Sequence, residues 1–263
     1  MRLFDRKAEV IINNRRFAYP DFDIDFSIAL DQEAEPNQSS LSLYNVSDTS
    51  IAFMKYGSEI IINAGYDKDV GTVFKGQLFW SEKQELETER KVNIIAGDAA
   101  QKWMTKTANK KYNGKIKASR VIKDLLSIFG VEIAFFELNK DVEYEKGLTI
   151  SESVQSALRK IVIDDCESRL YVLNGRVFIR KPGTGYNIQF TLNERSGLIG
   201  TPQRLDKDNK IGYTVFSLLN HRLSINSIII INSKTANGRF RVDKVIHNMD
   251  RSSFISQMEV FPA

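Results

Sequence analysis

Few side chains in this 263-residue chain have the types that chemistry requires. Cys166 and His247 are the thiol and imidazole that a nucleophile and its general base would use, and His221 is the only other imidazole. No third orienting group or local motif accompanies either of them. A single cysteine rules out an intrachain disulfide framework, and one cysteine with two histidines falls short of the usual zinc ligand set. Asp21, Asp23 and Asp25 alternate along one strand face and offer the oxygen ligands that a hard cation such as calcium prefers. Carboxylates at that spacing are more commonly solvated or paired with lysines of the next strand. Asp164 and Asp165 are neighbours, so on a helix they diverge by about 100° and do not form an acid–base pair. Cys166 follows an apolar helical stripe, which reads as buried packing.

The densest charge is basic. Lys102, Lys106, Lys110, Lys111, Lys115, Lys117, Arg120 and Lys123 follow one another with no acid between the first and the last. Trp103 and Tyr112 are interleaved with them, a mixture that can track a phosphate backbone by charge and stacking. The same run also makes a solvated face or a docking surface for an acidic partner protein, and that is the reading preferred here. The formal net charge of +4 is too small to imply nucleic-acid binding by itself. "KPGTGYN" lacks P-loop spacing and opens no helix after a strand, so it reads as an interdomain turn. "NQS" and "NVS" fit a glycosylation pattern but serve as turn sequences. No reaction follows from these residues, and neither a catalytic group, a metal nor a cofactor is expected.

The elements that would position these side chains are mostly strands. "FDIDFSIAL" alternates cleanly, with Phe22, Ile24, Phe26, Ile28 and Leu30 on one face, the period of a half-buried strand. Leu41 and Leu43 begin the next strand, and "NVSDTS" follows as a turn or helical corner. Ile60, Ile61 and Ile62 in succession suit a strand covered on both faces. In "TVFKGQLFW", Gly76 marks a bulge or a tight bend. Val92, Ile94 and Ala96 resume period two. From Asp98 the grammar changes: a short helix "AAQKWMTK", then "SRVIKDLLSIFG" with Val121, Ile122, Leu125 and Phe129 on one face, Ser119 ahead and Gly130 as the stop. "ESVQSALRKIVIDDC" places Val154, Leu158, Ile161 and Asp165 at helical spacing. In "SRLYVLNGRVFIR", Asn174-Gly175 predicts a type I′ hairpin. Beyond "KPGTGY" the strand pattern returns.

The two β regions share a motif. "SEIIINAGYDKDVGTVFKGQL" aligns with "SIIIINSKTANGRFRVDKVI": an isoleucine run, an asparagine, a polar loop, then Phe74 or Phe240. The chain therefore divides into a β-barrel domain over 1–98, an α+β domain over 99–182 and a second, similar barrel over 183–263. The class is mainly β, with two small antiparallel barrels flanking an α+β insert. No apolar run approaches the roughly 20 residues needed to span a bilayer, and "MRLFDRKAEVIINN" carries charges where a signal peptide is apolar. A protein made and kept in the cytosol is expected.

Taken in order, "LSLYNVSDTS", "GSEIIINAGYD", "VFKGQL" and "VNIIAGDAAQKW" resemble the opening barrel of baseplate hub proteins of contractile-tailed bacteriophages and related tail-like particles. "SALRKIVIDDCESRLYVLNGRVFIR" is similar to the middle domain of that family, and "SGLIGTPQRL" through "GRFRVDKVIHNMD" to its second barrel. His221 departs from the pattern, since a proline usually follows the double leucine and asparagine. The resemblance implies a homotrimer whose six barrels imitate a hexamer. It further implies tail tube and central spike proteins as partners, a pore for tape-measure protein and then DNA, and wedge or sheath-adapter proteins on the outer, basic surface. Such a protein resides in the virion baseplate after assembly in the host cytoplasm, inserts in no membrane and carries no cofactor. The contrasting expectation is a basic OB-like barrel that binds single-stranded nucleic acid.

Overall fold

A computed structural model describes residues 5–32, 37–85, 89–98, 106–207 and 209–263. The chain is mainly β, and its residues gather into two compact units: a β unit drawn from 1–31, 37–97 and 185–263, and an α+β unit that includes 98–184.

The first half of the β unit contains β1 (Arg6–Ile12), β2 (Arg15–Ala18), β3 (Ile24–Leu30), β4 (Gln38–Tyr44), β5 (Glu59–Tyr66), β6 (Asp69–Glu85) and β7 (Arg90–Gly97). Alternation decides which face is buried: Ile24, Phe26, Ile28 and Leu30 lie inside, whereas Asp25, Ser27 and Ala29 do not. The polar corner after β4 is a short helix, α1 (Asp48–Ile51), whose first turn is capped by the Ser47 hydroxyl accepting from the Ser50 amide. Ile60 and Ile62 are fully buried but Ile61 only half, so the isoleucine run of β5 is covered on one face and partly on the other.

The α+β unit holds β8 (Thr107–Tyr112), β9 (Ile116–Lys117), β10 (Glu132–Phe136), β11 (Glu143–Tyr144), β12 (Leu148–Ser153), β13 (Arg169–Leu173) and β14 (Arg176–Arg180). Its helices are α2 (Ala118–Phe129) and α3 (Val154–Arg159), the latter running on into a wider π-helical turn over Lys160–Asp165. Val121, Ile122, Leu125, Leu158, Ile161 and Val162 form its core together with Leu170, Val172, Val177 and Ile179 of the β13–β14 hairpin. Both turn residues of that hairpin, Asn174 and Gly175, have positive φ (52° and 77°), as a type I′ turn requires. Gly130 ends α2 in the left-handed region, its amide donating to Leu126 O. Ser119 does not cap this helix from in front. It sits in the first turn, and its amide and hydroxyl both donate to Asp141. The short helix expected over 99–106 lies, apart from Lys106, outside the described residues.

The second half of the β unit contains β15 (Tyr186–Leu192), β16 (Leu198–Lys207), β17 (Lys210–Leu218), β18 (Ser227–Asn232), β19 (Asn237–Met249) and β20 (Phe254–Pro262). The sheet order in the first half is β3-β4-β7-β6-β5-β1-β2; in the second it is β16-β17-β20-β19-β18-β15. The two halves thus repeat one wiring, β3 matching β16 and β6 matching β19. The isoleucines of the internal motif fall where this wiring puts them, Ile60 and Ile62 buried like Ile229 and Ile231 and Ile61 more exposed like Ile230, but its phenylalanines are offset by two residues: Phe74 faces Ile62, whereas Phe240 faces Ile229, the counterpart of Ile60. The halves differ at one end, since β1 is antiparallel to β5 whereas β15 runs parallel to β18. They are joined by β19, whose Asn237–Arg241 segment pairs with β18 and whose Val245–Met249 segment pairs with β3.

Of the bulge or tight bend that the sequence allows at Gly76, the bulge is not at this residue. The register of β6 shifts on either side of it, between Phe74 and Thr72 against β5 and between Leu78 and Trp80 against β7. Gly76 is required for a different reason: a Cβ there would lie 2.1 Å from the carbonyl oxygen of Gly97.

Candidate functional site

The basic run falls in the α+β unit, on β8, β9 and α2, with Lys102 outside the described residues. Much of it is spoken for locally. Lys106 Nζ donates to Ile128 O at the end of α2. Lys110 Nζ lies 2.6 Å from Asp124 Oδ2, which also accepts from the Tyr112 hydroxyl. These two donors hold the Asp124 carboxyl below its ordinary range, with Lys110 the larger cause. Lys115 bridges Glu143 (3.0 Å) and Glu145 (3.2 Å). Lys123 sits over the Phe136 ring, 5.0 Å from its centroid. Lys111, Lys117 and Arg120 are exposed. Lys111, Lys115, Arg120 and Lys123 border an open groove of about 610 Å³ whose wall includes Tyr112 and Asn113.

The residues suited to catalysis are dispersed and already engaged. Cys166 belongs to the α+β unit, is fully buried, and burial pushes its thiol above the usual value. His247 belongs to the β unit, on β19, and is also fully buried. Its Nε2 is 3.0 Å from Leu223 O, which can only accept, so Nε2 carries the proton and Nδ1 accepts from Ser256 Oγ at 2.8 Å. Burial pushes this imidazole down to about 4, opposed by the hydrogen bond to the Leu223 carbonyl. Asp25 accepts from the Tyr44 hydroxyl at 2.7 Å and Asp23 lies 3.5 Å from Arg251. Among the described residues no group of three metal-ligating side chains converges.

The segment between β17 and β18 is the feature that no motif in the sequence announced. His221 and Arg222 both approach Asp69 at the β5–β6 turn, the guanidinium with two contacts of 2.8 and 2.5 Å and the imidazole Nε2 at 3.8 Å. Burial lowers the His221 pKa, helped by Arg222 and opposed by Asp69. Among the described residues, buried polar atoms without a partner concentrate here, at Asn220 Nδ2, His221 Nδ1 and Asn226 Nδ2, with Ser217 Oγ at the end of β17 beside them. Departure from the proline expected after Asn220 was the available signal. Both histidines of the chain meet at this segment, since His247 holds it by Leu223 O.

Among the described residues several strand edges of the β unit are open: β2 and β15 each pair on one side only, as do β16 and the far part of β6. Among the described residues β16 ends the sheet path, pairing with β17 alone, and Ile199 on it is 41% exposed. On β6 the pairing with β5 ends at Gln77, while the pairing with β7 continues to Glu85. Among the described residues no strand covers the other edge from Phe79 onward, where Trp80 is 45% exposed.

Neither a protein-family model nor a curated protein matches the chain in sequence. Solved structures match it over nearly its whole length. The 43 kDa tail protein of prophage MuSo2 from Shewanella oneidensis superposes with a TM-score of 0.71 at 8% identity, covering 98% of each chain. A tail protein from Neisseria meningitidis gives 0.67 at 8% identity over 98% of this chain and 97% of the other. The chain has the fold of phage tail proteins. The same tail-protein fold occurs in an E. coli component of the type VI secretion system, described as structurally similar to T4 bacteriophage tail proteins, with a TM-score of 0.71 at 11% identity over 97% of this chain and 76% of that one. At such identities the shared property is the path of the backbone, which is what the strand alternation and the repeated wiring encode.

Proposed function

We propose that the chain is a structural, non-catalytic baseplate hub: a homotrimer forming a pseudo-sixfold ring that joins a tail tube to a central spike and lets tape-measure protein and DNA pass. The observation that carries this reading is the repeated wiring of the β unit. A chain with two equivalent halves presents six equivalent positions in a threefold ring, the arrangement needed to match a sixfold tube to a threefold spike.

The repeat also indicates how chains would join. Within one chain, Val245–Met249 of β19 pairs with β3. Phe240 faces Ile229 as Gly76 faces Ile60, which places Ser81–Glu85 of β6 in the equivalent position, on the edge that stays open. The strand equivalent to β3 is β16, also open on one edge. Pairing β6 of one chain with β16 of the next would repeat the internal joint and close a ring, with Trp80 and Ile199 covered at the seam.

In this reading the tube protein and the spike protein occupy opposite faces of the ring. The basic surface of Lys102, Lys106, Lys110, Lys111, Lys115, Lys117, Arg120 and Lys123 lies outside, where wedge or sheath-adapter proteins dock. A cationic lumen would retain the phosphates of passing DNA. The hub would be part of the virion baseplate and would assemble in the host cytoplasm. Multi-angle light scattering of the purified chain tests the reading directly, with a mass three times that of the chain expected at micromolar concentration. A strict monomer that binds single-stranded DNA would overturn it in favour of a nucleic-acid-binding barrel.

A further inference from the structure

The groove on the α+β unit has a composition that selects its occupant. Its bordering cations are Lys111, Lys115, Arg120 and Lys123, and its one acid is Asp124. Asp124 is engaged by Lys110 and the Tyr112 hydroxyl, and Lys115 is engaged by Glu143 and Glu145. Lys111, Arg120 and Lys123 hold no ion pair among the described residues, so the groove carries positive charge beyond what its own acids balance.

The surroundings also show which anion this surface accommodates. Carboxylates answer the basic groups and amides at several points: Asp124 at Lys110, Glu143 and Glu145 at Lys115, and Asp141 at the first turn of α2. A nucleic-acid strand would need more. Sequence-tolerant strand binding uses open aromatic faces for stacking, but the Tyr112 ring is half-buried with its hydroxyl tied to Asp124, and the Phe136 ring faces Lys123. Three cations without an ion pair among the described residues are also few beside a nucleic-acid binder that makes about 6–10 phosphate contacts. Exposed Asn113 adds a donor and acceptor of the kind that pairs with a peptide backbone.

We propose that this groove receives an acidic, extended peptide segment of a partner protein, with Lys111, Arg120 and Lys123 taking its carboxylates. The proposal rests on the reading of the chain as a docking protein and gives that docking a place and a chemistry. It sits within one chain and does not depend on ring closure.

The test uses the full chain and fluorescence anisotropy with two probes of equal charge, a labelled hexaglutamate peptide and a labelled oligothymidylate. The peptide is expected to bind saturably and to weaken as salt rises. K111E/R120E should weaken it at least tenfold. K146E/K160E changes the net charge equally on exposed lysines outside the groove and should leave binding within twofold. Circular dichroism of both variants verifies the fold, and Lys111→Gln with Arg120→Gln gives a milder second variant expected to lose about half of the effect in logarithmic terms. No peptide binding, equal loss in both charge reversals, or tighter groove-dependent binding of the oligothymidylate would each overturn the proposal. Light scattering on the same samples separates the outcomes: a monomer that binds the peptide removes the ring and keeps the groove.

Discussion

At the level of single residues, the histidines set how the β unit answers to acid. His247 is buried as a neutral ring between Leu223 O and Ser256 Oγ, with its pKa lowered to about 4 from an ordinary 6.5. The unfolded chain therefore binds more protons than the folded one between those values. Stability from this group is fully present above pH 6.5 and is lost as pH falls toward 4. His221, also lowered by burial, acts in the same direction. Urea unfolding should show a loss of about 2 kcal/mol between pH 7 and pH 5, and the slope should flatten in H247Q. A wild-type curve independent of pH in that window would contradict the buried neutral ring. Nothing in the sequence marked His247 for this role: alternation placed it on a strand but could not show that both ring nitrogens meet partners brought from elsewhere in the chain.

Elements show where local pattern suffices and where it does not. The β13–β14 hairpin was legible because Asn174-Gly175 satisfies a backbone demand made by two adjacent residues. The strands β3 and β7 were legible because period two and one covered face are the same fact. The role of Gly76 was not, because the carbonyl that excludes a side chain there belongs to Gly97, across the sheet. The joint between the β5–β6 hairpin and the β17–β18 segment hides in the same way. Gly71 leaves room for the His221 ring, and a Cβ would come within 2.2 Å of its Cδ2. G71A should therefore cost about 1–3 kcal/mol through overpacking, read as a lower midpoint in urea. A midpoint equal to that of the wild type would mean that the segment yields without cost.

For the whole molecule, the sequence motif around the isoleucine runs indicated a repeat, and the wiring extends it to six strands in each half. Pairing partners could not be read from the motif, because the joint between β3 and β19 links residues far apart in sequence. The proposed seam gives a prediction at this scale. Trp80 and Ile199 are exposed in the single chain, so W80E and I199K should leave its fold and melting behaviour nearly unchanged. They should convert the proposed trimer to monomers in light scattering. Trimers that persist in both variants would place the contact elsewhere on the β unit.

The joint between β3 and β19 also has a consequence for biosynthesis. Leu30 and Val245 are partners in one ladder, yet more than 200 residues separate them. At elongation rates of about 5–20 residues per second, the apolar strand β3 waits roughly 10–40 s for its neighbour to leave the ribosome. During that interval residues 98–184 have all emerged and can close their own core. The half-made sheet keeps one edge open, so the order in which the ribosome delivers the strands makes this the period when a nascent chain is most exposed to pairing with another.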